Sequence, residues 1–131
     1  MVRMAREADI PKIIDMVFRL SQEIAGPQTP CRIKTGQTLA GLIHSPDGAV
    51  WVSEGGFIAG CLTRTVISDD LIATELGWLA TDRSGLKLLR SFECWARERG
   101  ATLIKLSANG GAAARILERS GYRACETAWV K

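Results

Sequence analysis

The chain has 131 residues, of which 47% are hydrophobic and 24% charged, and it carries a net charge of +3. That is the length of a single domain, residues 1–131, able to bury a core without covalent staples, and the balance excludes intrinsic disorder. The charge is too small to argue for nucleic acid, and no apolar run approaches the length of a membrane span.

No basic, apolar leader opens the sequence, so a cytoplasmic protein is expected. Cys31, Cys61, Cys94 and Cys125 are scattered without a C-x-x-C pair, and His44 is the only histidine. Neither a metal site nor a disulfide framework is therefore expected, and the cysteines read as small core residues.

Asp9 stands in N-cap position before Ile10, with Pro11 in the first turn. Ile10, Ile13, Ile14, Val17, Phe18 and Ile24 then follow helical spacing, which predicts an amphipathic helix over 9–24. Gly26-Pro27-Gln28-Thr29-Pro30 breaks it, and Leu39, Leu42 and Ile43 suggest a shorter helix over 35–44 ending at His44. That position suits His44 as a surface residue or a partner of the helix dipole.

The period then changes. Residues 49–53 are a compact apolar strand, Gly55-Gly56 signals a hairpin, and 57–67 is a strand rich in β-branched residues. Asp69-Asp70 makes a turn into a third strand over 71–79. Simple alternation there puts Leu71, Ala73, Glu75, Gly77 and Leu79 on one face, and Ile72, Thr74, Leu76 and Trp78 on the other. Residues 85–99 form the most strongly amphipathic helix, with Leu88, Phe92 and Trp95 on its apolar face and Gly100 as its stop. A short strand over 102–107, a turn at Asn109-Gly110-Gly111, a helix over 112–120 and a last strand over 122–130 complete the chain. Trp51, Trp78, Trp95 and Trp129 read as core or subunit contacts, with Trp129 the best placed for an interface.

Two places carry chemistry. Glu75 shares its predicted face with the small Ala73 and Gly77, which leave room for a ligand and would desolvate the carboxylate, making Glu75 a candidate general base. The competing reading is a strand-end glutamate paired with a surface arginine. The turn Arg83-Ser84-Gly85 opens the long helix, where unpaired amides and the positive end of the dipole offer a seat for phosphate. Its alternative is a plain strand-to-helix turn in which Ser84 caps the helix and Gly85 permits close packing. The cations of the long helix alternate with acids and read as a solvated face.

This order of elements resembles the GCN5-related N-acetyltransferase superfamily, closest to the small forms common in phage and prophage. The likeness covers nearly the whole chain. It is most specific in "GLKLLRSFECWARERGA" after a strand and in "IKLSANGGAAARILERSGYR" at residues 104–123. It implies an α+β fold in α/β/α layers, with a mixed, mostly antiparallel sheet of about six strands, a splayed parallel pair and about four helices.

The resemblance further implies an enzyme, an acyl-CoA N-acyltransferase moving an acetyl group from acetyl-CoA to a small-molecule or peptide amine. The backbone of Leu79 and Ala80 would grip the pantetheine arm. The amides of Arg83, Ser84, Gly85, Leu86 and Lys87 would hold the pyrophosphate. Asn109 matches the family's asparagine near the coenzyme, and Glu75 would be the base. The family loop has the form Arg/Gln-x-x-Gly-x-Gly/Ala, and its arginine position falls here at Ala80, so the turn is expected to be short. The position of the family's acid tyrosine is Leu117, while Tyr122 takes a packing position. These departures define the alternative, a GNAT-like binding or structural module with impaired catalysis. A homodimer built through the C-terminal strand is the expected assembly.

Overall fold

The computed structural model describes residues 1–131. Its elements are β1 (Arg3–Met4), α1 (Ile10–Glu23), α2 (Arg32–His44), β2 (Gly48–Val52), β3 (Gly56–Arg64), β4 (Leu71–Ala80), α3 (Gly85–Glu98), β5 (Leu103–Lys105) and α4 (Gly111–Arg119). The five strands form one sheet in chain order, antiparallel except for β4 and β5, which run parallel through the α3 crossover. Helices lie on both faces, as expected for the layered α+β class.

Each face has its own core. Val50, Val52, Phe57, Ala59 and Leu79 point towards α1 and α2, where they meet Ile13, Ile14 and Leu39. Ala49, Trp51, Ile58 and Ala73 point the other way, onto Leu88, Phe92, Trp95 and Ala96 of α3. The period-two patterns of the strands and the apolar stripes of α1 and α3 meet as the sequence requires. Gly60 serves the second core: a Cβ there would run into the Phe92 ring.

Simple alternation fails once, in β4. Ala59 pairs with Gly77, but the next pair along the ladder is Gly60 with Glu75. Leu76 is the extra residue of a β-bulge and is exposed. A bulge resets the facing of everything beyond it. Ala73 and Trp78 therefore both pack on the α3 side, while Leu79 packs on the α1 side, where a Cβ on Gly77 would meet Phe57. The predicted grouping of Ala73, Glu75 and Gly77 on one face is thus corrected: Ala73 and Gly77 lie on opposite faces.

Four other expectations are also corrected. The sheet has five strands and not six, because residues 122–130 join no ladder and Trp129 is 91% exposed. A strand gains its stability only from a neighbour, and β5 offers just three residues. Asp9 does not cap α1 with its side chain; its two carboxylate oxygens accept from the Arg3 guanidinium at 2.8 Å each, and one also accepts from the Arg6 amide at 2.8 Å. Nor does the Ser84 side chain cap α3. The cysteines are not core residues: Cys31, Cys94 and Cys125 are exposed and Cys61 is only partly buried. His44 is a surface residue, with Nε2 2.7 Å from Glu7 Oε1.

Candidate functional site

β4 and β5 share only three pairs, Ile72 to Thr74 against Leu103 to Lys105. Beyond Thr74 the ladder stops, since β5 ends at Lys105, and the edge of β4 from Glu75 to Ala80 has no strand neighbour on that side. Glu75 is the first residue past the ladder. Its Oε1 accepts the backbone N–H of Ser107 at 3.1 Å, so a side chain takes over where the ladder ends. Burial raises the Glu75 carboxyl to about 7, with the Ser107 amide pulling the other way. A carboxyl near 7 can take or give a proton at neutral pH. The bulge at Leu76 lies directly beside it, a common place for bulges that re-aim a side chain.

From Ala80 the chain enters α3 through only Thr81, Asp82, Arg83 and Ser84. Arg83 adopts a left-handed backbone, φ 65°, which turns the chain sharply. The turn is clamped to the β2–β3 loop. The amide and hydroxyl of Thr81 both donate to Gly55 O at 2.8 Å, and Gly55 N donates to Asp82 at 2.9 Å. Asp82 also accepts from the amide and hydroxyl of Ser84, and the Ser84 hydroxyl pairs with Ser53 Oγ at 2.8 Å in a buried contact. These donors hold the Asp82 carboxyl far below its ordinary range, the Ser84 hydroxyl contributing most.

Because Leu88 N is the first α3 amide to find a helical acceptor, at Ser84 O, the amides of Gly85, Leu86 and Lys87 are free to meet a ligand. Gly85 is buried, and Leu86 and Lys87 are exposed. Leu79 and Ala80 end β4 and Arg83 to Lys87 carry the chain into α3, with Leu79, Ser84 and Gly85 buried and the others at least partly exposed. Glu75 lies further back along the same strand. Asn109 is tied elsewhere: its Nδ2 donates to Ile24 O at 3.4 Å, joining the segment before α4 to the end of α1.

Residues that sequence reasoning left on a solvated face gather here. Arg90 and Arg97 of α3 and Arg119 of α4 line one groove, together with Leu86 and Ile116. Glu93 lies in the same groove and accepts from Tyr122 Oη at 2.7 Å. Burial and that donation push the Tyr122 phenol well above its ordinary range. The spacing of Arg90 and Arg97, two turns apart on one helix face, was readable in the sequence. Arg119 joins them only through the packing of α4.

No protein-family model matches the sequence, and no curated protein matches it. Solved structures do. A transcriptional regulator from Bacillus halodurans C-125 superimposes with a TM-score of 0.79 at 19% identity, over 100% of this chain and 97% of that one. Glucosamine-6-phosphate N-acetyltransferase from Arabidopsis thaliana gives 0.73 at 11% identity, over 100% and 96%. An aminoglycoside acetyltransferase from an uncultured soil metagenomic sample gives 0.68 at 11%, again over 100% and 96%. At these identities the similarity shows a shared fold across the full length of the chain.

Proposed function

We propose that this protein is an acyl-CoA N-acyltransferase of the GCN5-related type, transferring an acetyl group from acetyl-CoA to an amine on a small molecule or peptide. The observation that carries this reading is Glu75, a carboxyl raised to about 7 just past the end of the β4–β5 ladder, where its Oε1 accepts the Ser107 amide. The acetyltransferase names among the structural neighbours support the same reading.

The residues present fit such a donor. Free amides at Gly85, Leu86 and Lys87, with the Lys87 side chain, suit a pyrophosphate at the positive end of α3. The open edge of β4 through Leu79 and Ala80 suits an extended amide-bearing arm, and Arg90, Arg97 and Arg119 suit further phosphate. When bound, acetyl-CoA supplies an activated acetyl thioester. Glu75 accepts a proton from the acceptor ammonium or amine, directly or through water, so that the neutral nitrogen can form the amide bond. Positioning of the two reactants in the β4–β5 opening contributes the rest. The thiol proton comes from solvent or another group, since Leu117 stands where the family's tyrosine would be and Tyr122 is engaged with Glu93.

A second reading, a binding module without catalysis, is favoured by Asp82, whose negative charge lies in the turn that would face the phosphates. Titration calorimetry with acetyl-CoA, followed by a thiol-release assay over a panel of amines, tests the pair. Saturable heat and amine-dependent thiol release are expected. No heat would remove the enzyme and leave the module, and heat without release would leave a coenzyme-binding protein without catalysis.

As the assembly we propose a homodimer in which residues 122–130 of each copy extend the partner's sheet. The free edge of β5 and the exposed Trp129 support it.

A further inference from the structure

Among the buried side-chain nitrogens and oxygens of the protein, only Trp78 Nε1 has no hydrogen-bond partner. A buried donor without an acceptor forfeits its hydration and gains nothing in return, so it calls for an explanation. The surroundings do not suggest a water. Trp78 packs against the α3-side core with Ala80 and Leu88, and a trapped water needs several polar partners.

The position of the indole is informative. Its Cζ2 edge, the edge that carries the nitrogen, lies 3.9 Å from where a Cβ on Gly85 would be. Ile116 Cδ1 of α4 approaches the same point to 3.3 Å, and Ala80 Cβ to 3.6 Å. The orphan N–H therefore belongs to the junction of three features: the open edge of β4, the first free amide of α3 and the underside of α4. α4 itself has no buried residue, although its apolar side turns towards α3. A helix so lightly held can shift at small cost.

We propose that Trp78 is a positioning residue for the coenzyme: when Ile116 moves aside, Trp78 Nε1 donates a hydrogen bond to an oxygen of the arm where pantetheine meets pyrophosphate. This rests on the coenzyme reading above and adds to it a residue outside the turn and the helix amides. It also explains why a tryptophan and not a phenylalanine fills this part of the core. The free protein carries an unpaired donor, and the bound state satisfies it.

The test is Trp78→Phe, which keeps an aromatic ring and removes the donor. Coenzyme A is titrated calorimetrically into the wild type and the variant, and both are melted without ligand. Binding weaker by about 5- to 10-fold is expected, with the free variant melting at or above the wild-type temperature because the unpaired donor is gone. Equal affinity would overturn the proposal. So would a ligand-free melting temperature several degrees lower, which would mean that the donor is already satisfied or that the larger ring is needed for packing. Should the variant fail to fold, the wild-type indole N–H resonance that lies beside Gly85 is followed by NMR. It should move downfield on addition of coenzyme A, and an unmoved signal at saturation overturns the proposal. If the wild type binds no coenzyme A, the coenzyme reading falls, and this inference with it.

Discussion

Glu75 and Asp82 show how two carboxylates on one strand-and-turn segment acquire opposite characters. Glu75 receives one amide and little water, so its neutral form is favoured; Asp82 receives several donors at the surface, so its charged form is favoured. For Glu75 the folded value of about 7 lies above the ordinary 4.5. The stability due to its protonated form is therefore complete below about pH 4.5 and is lost as the pH rises towards 7. Glu75→Gln removes that loss and keeps an oxygen for the Ser107 amide. The variant should be more stable than the wild type at pH 8, by roughly 1–3 kcal/mol, and closer to it at pH 4.5, as thermal melts at the two values would show. Acetylation should fall by about 100-fold and lose the rise with pH centred near 7. Unchanged turnover across the pH range would remove Glu75 from the mechanism.

The short β4–α3 turn is held by what it touches, not by its own sequence alone. Asp82 and Thr81 fasten it to Gly55, and a Cβ on Gly55 would lie 2.6 Å from Thr81 Oγ1. Asp82→Ala unfastens the Gly55 and Ser84 amides and should lower stability by about 1 kcal/mol, or roughly 3–5 °C in melting temperature. Since the Asp82 pKa is depressed, its contribution is present above the ordinary carboxylate range and is lost as the pH falls below about 4. The melting curves of wild type and variant should converge in acid; a constant gap would show that the clamp is not electrostatic. Much of this was legible in the sequence. The apolar periods located α1, β2, β3, β4, α3 and α4 to within a few residues, and the Gly85 turn was visible as a helix start. The Asp82 clamp was not, because its partners lie in a distant loop. Nor was the bulge at Leu76, because a strand with one residue too many reads as a longer strand.

At the scale of the molecule the sheet is finished at one end and open at the other. β1 covers the outer side of β2 with a strand of two residues, whereas β5 presents its outer edge to solvent and the chain beyond α4 stays unpaired. In the proposed dimer these two loose features satisfy each other. Sedimentation or light scattering should find a dimer for the full chain and a monomer after removal of residues 123–131, with the core fold kept. A monomer at every concentration would leave the tail without that role. The bulge in β4 has a consequence of its own, for how such a chain can change over time. Strand parity upstream of Leu76 is set by Ala73, which faces α3, and downstream by Trp78 and Leu79, which face α3 and α1 in turn. Losing Leu76 would restore simple alternation and leave the facings as they are, with Ala73 and Trp78 on the α3 side and Leu79 on the α1 side. The bulge is therefore a place where β4 can gain or lose a single residue without turning the rest of the strand over.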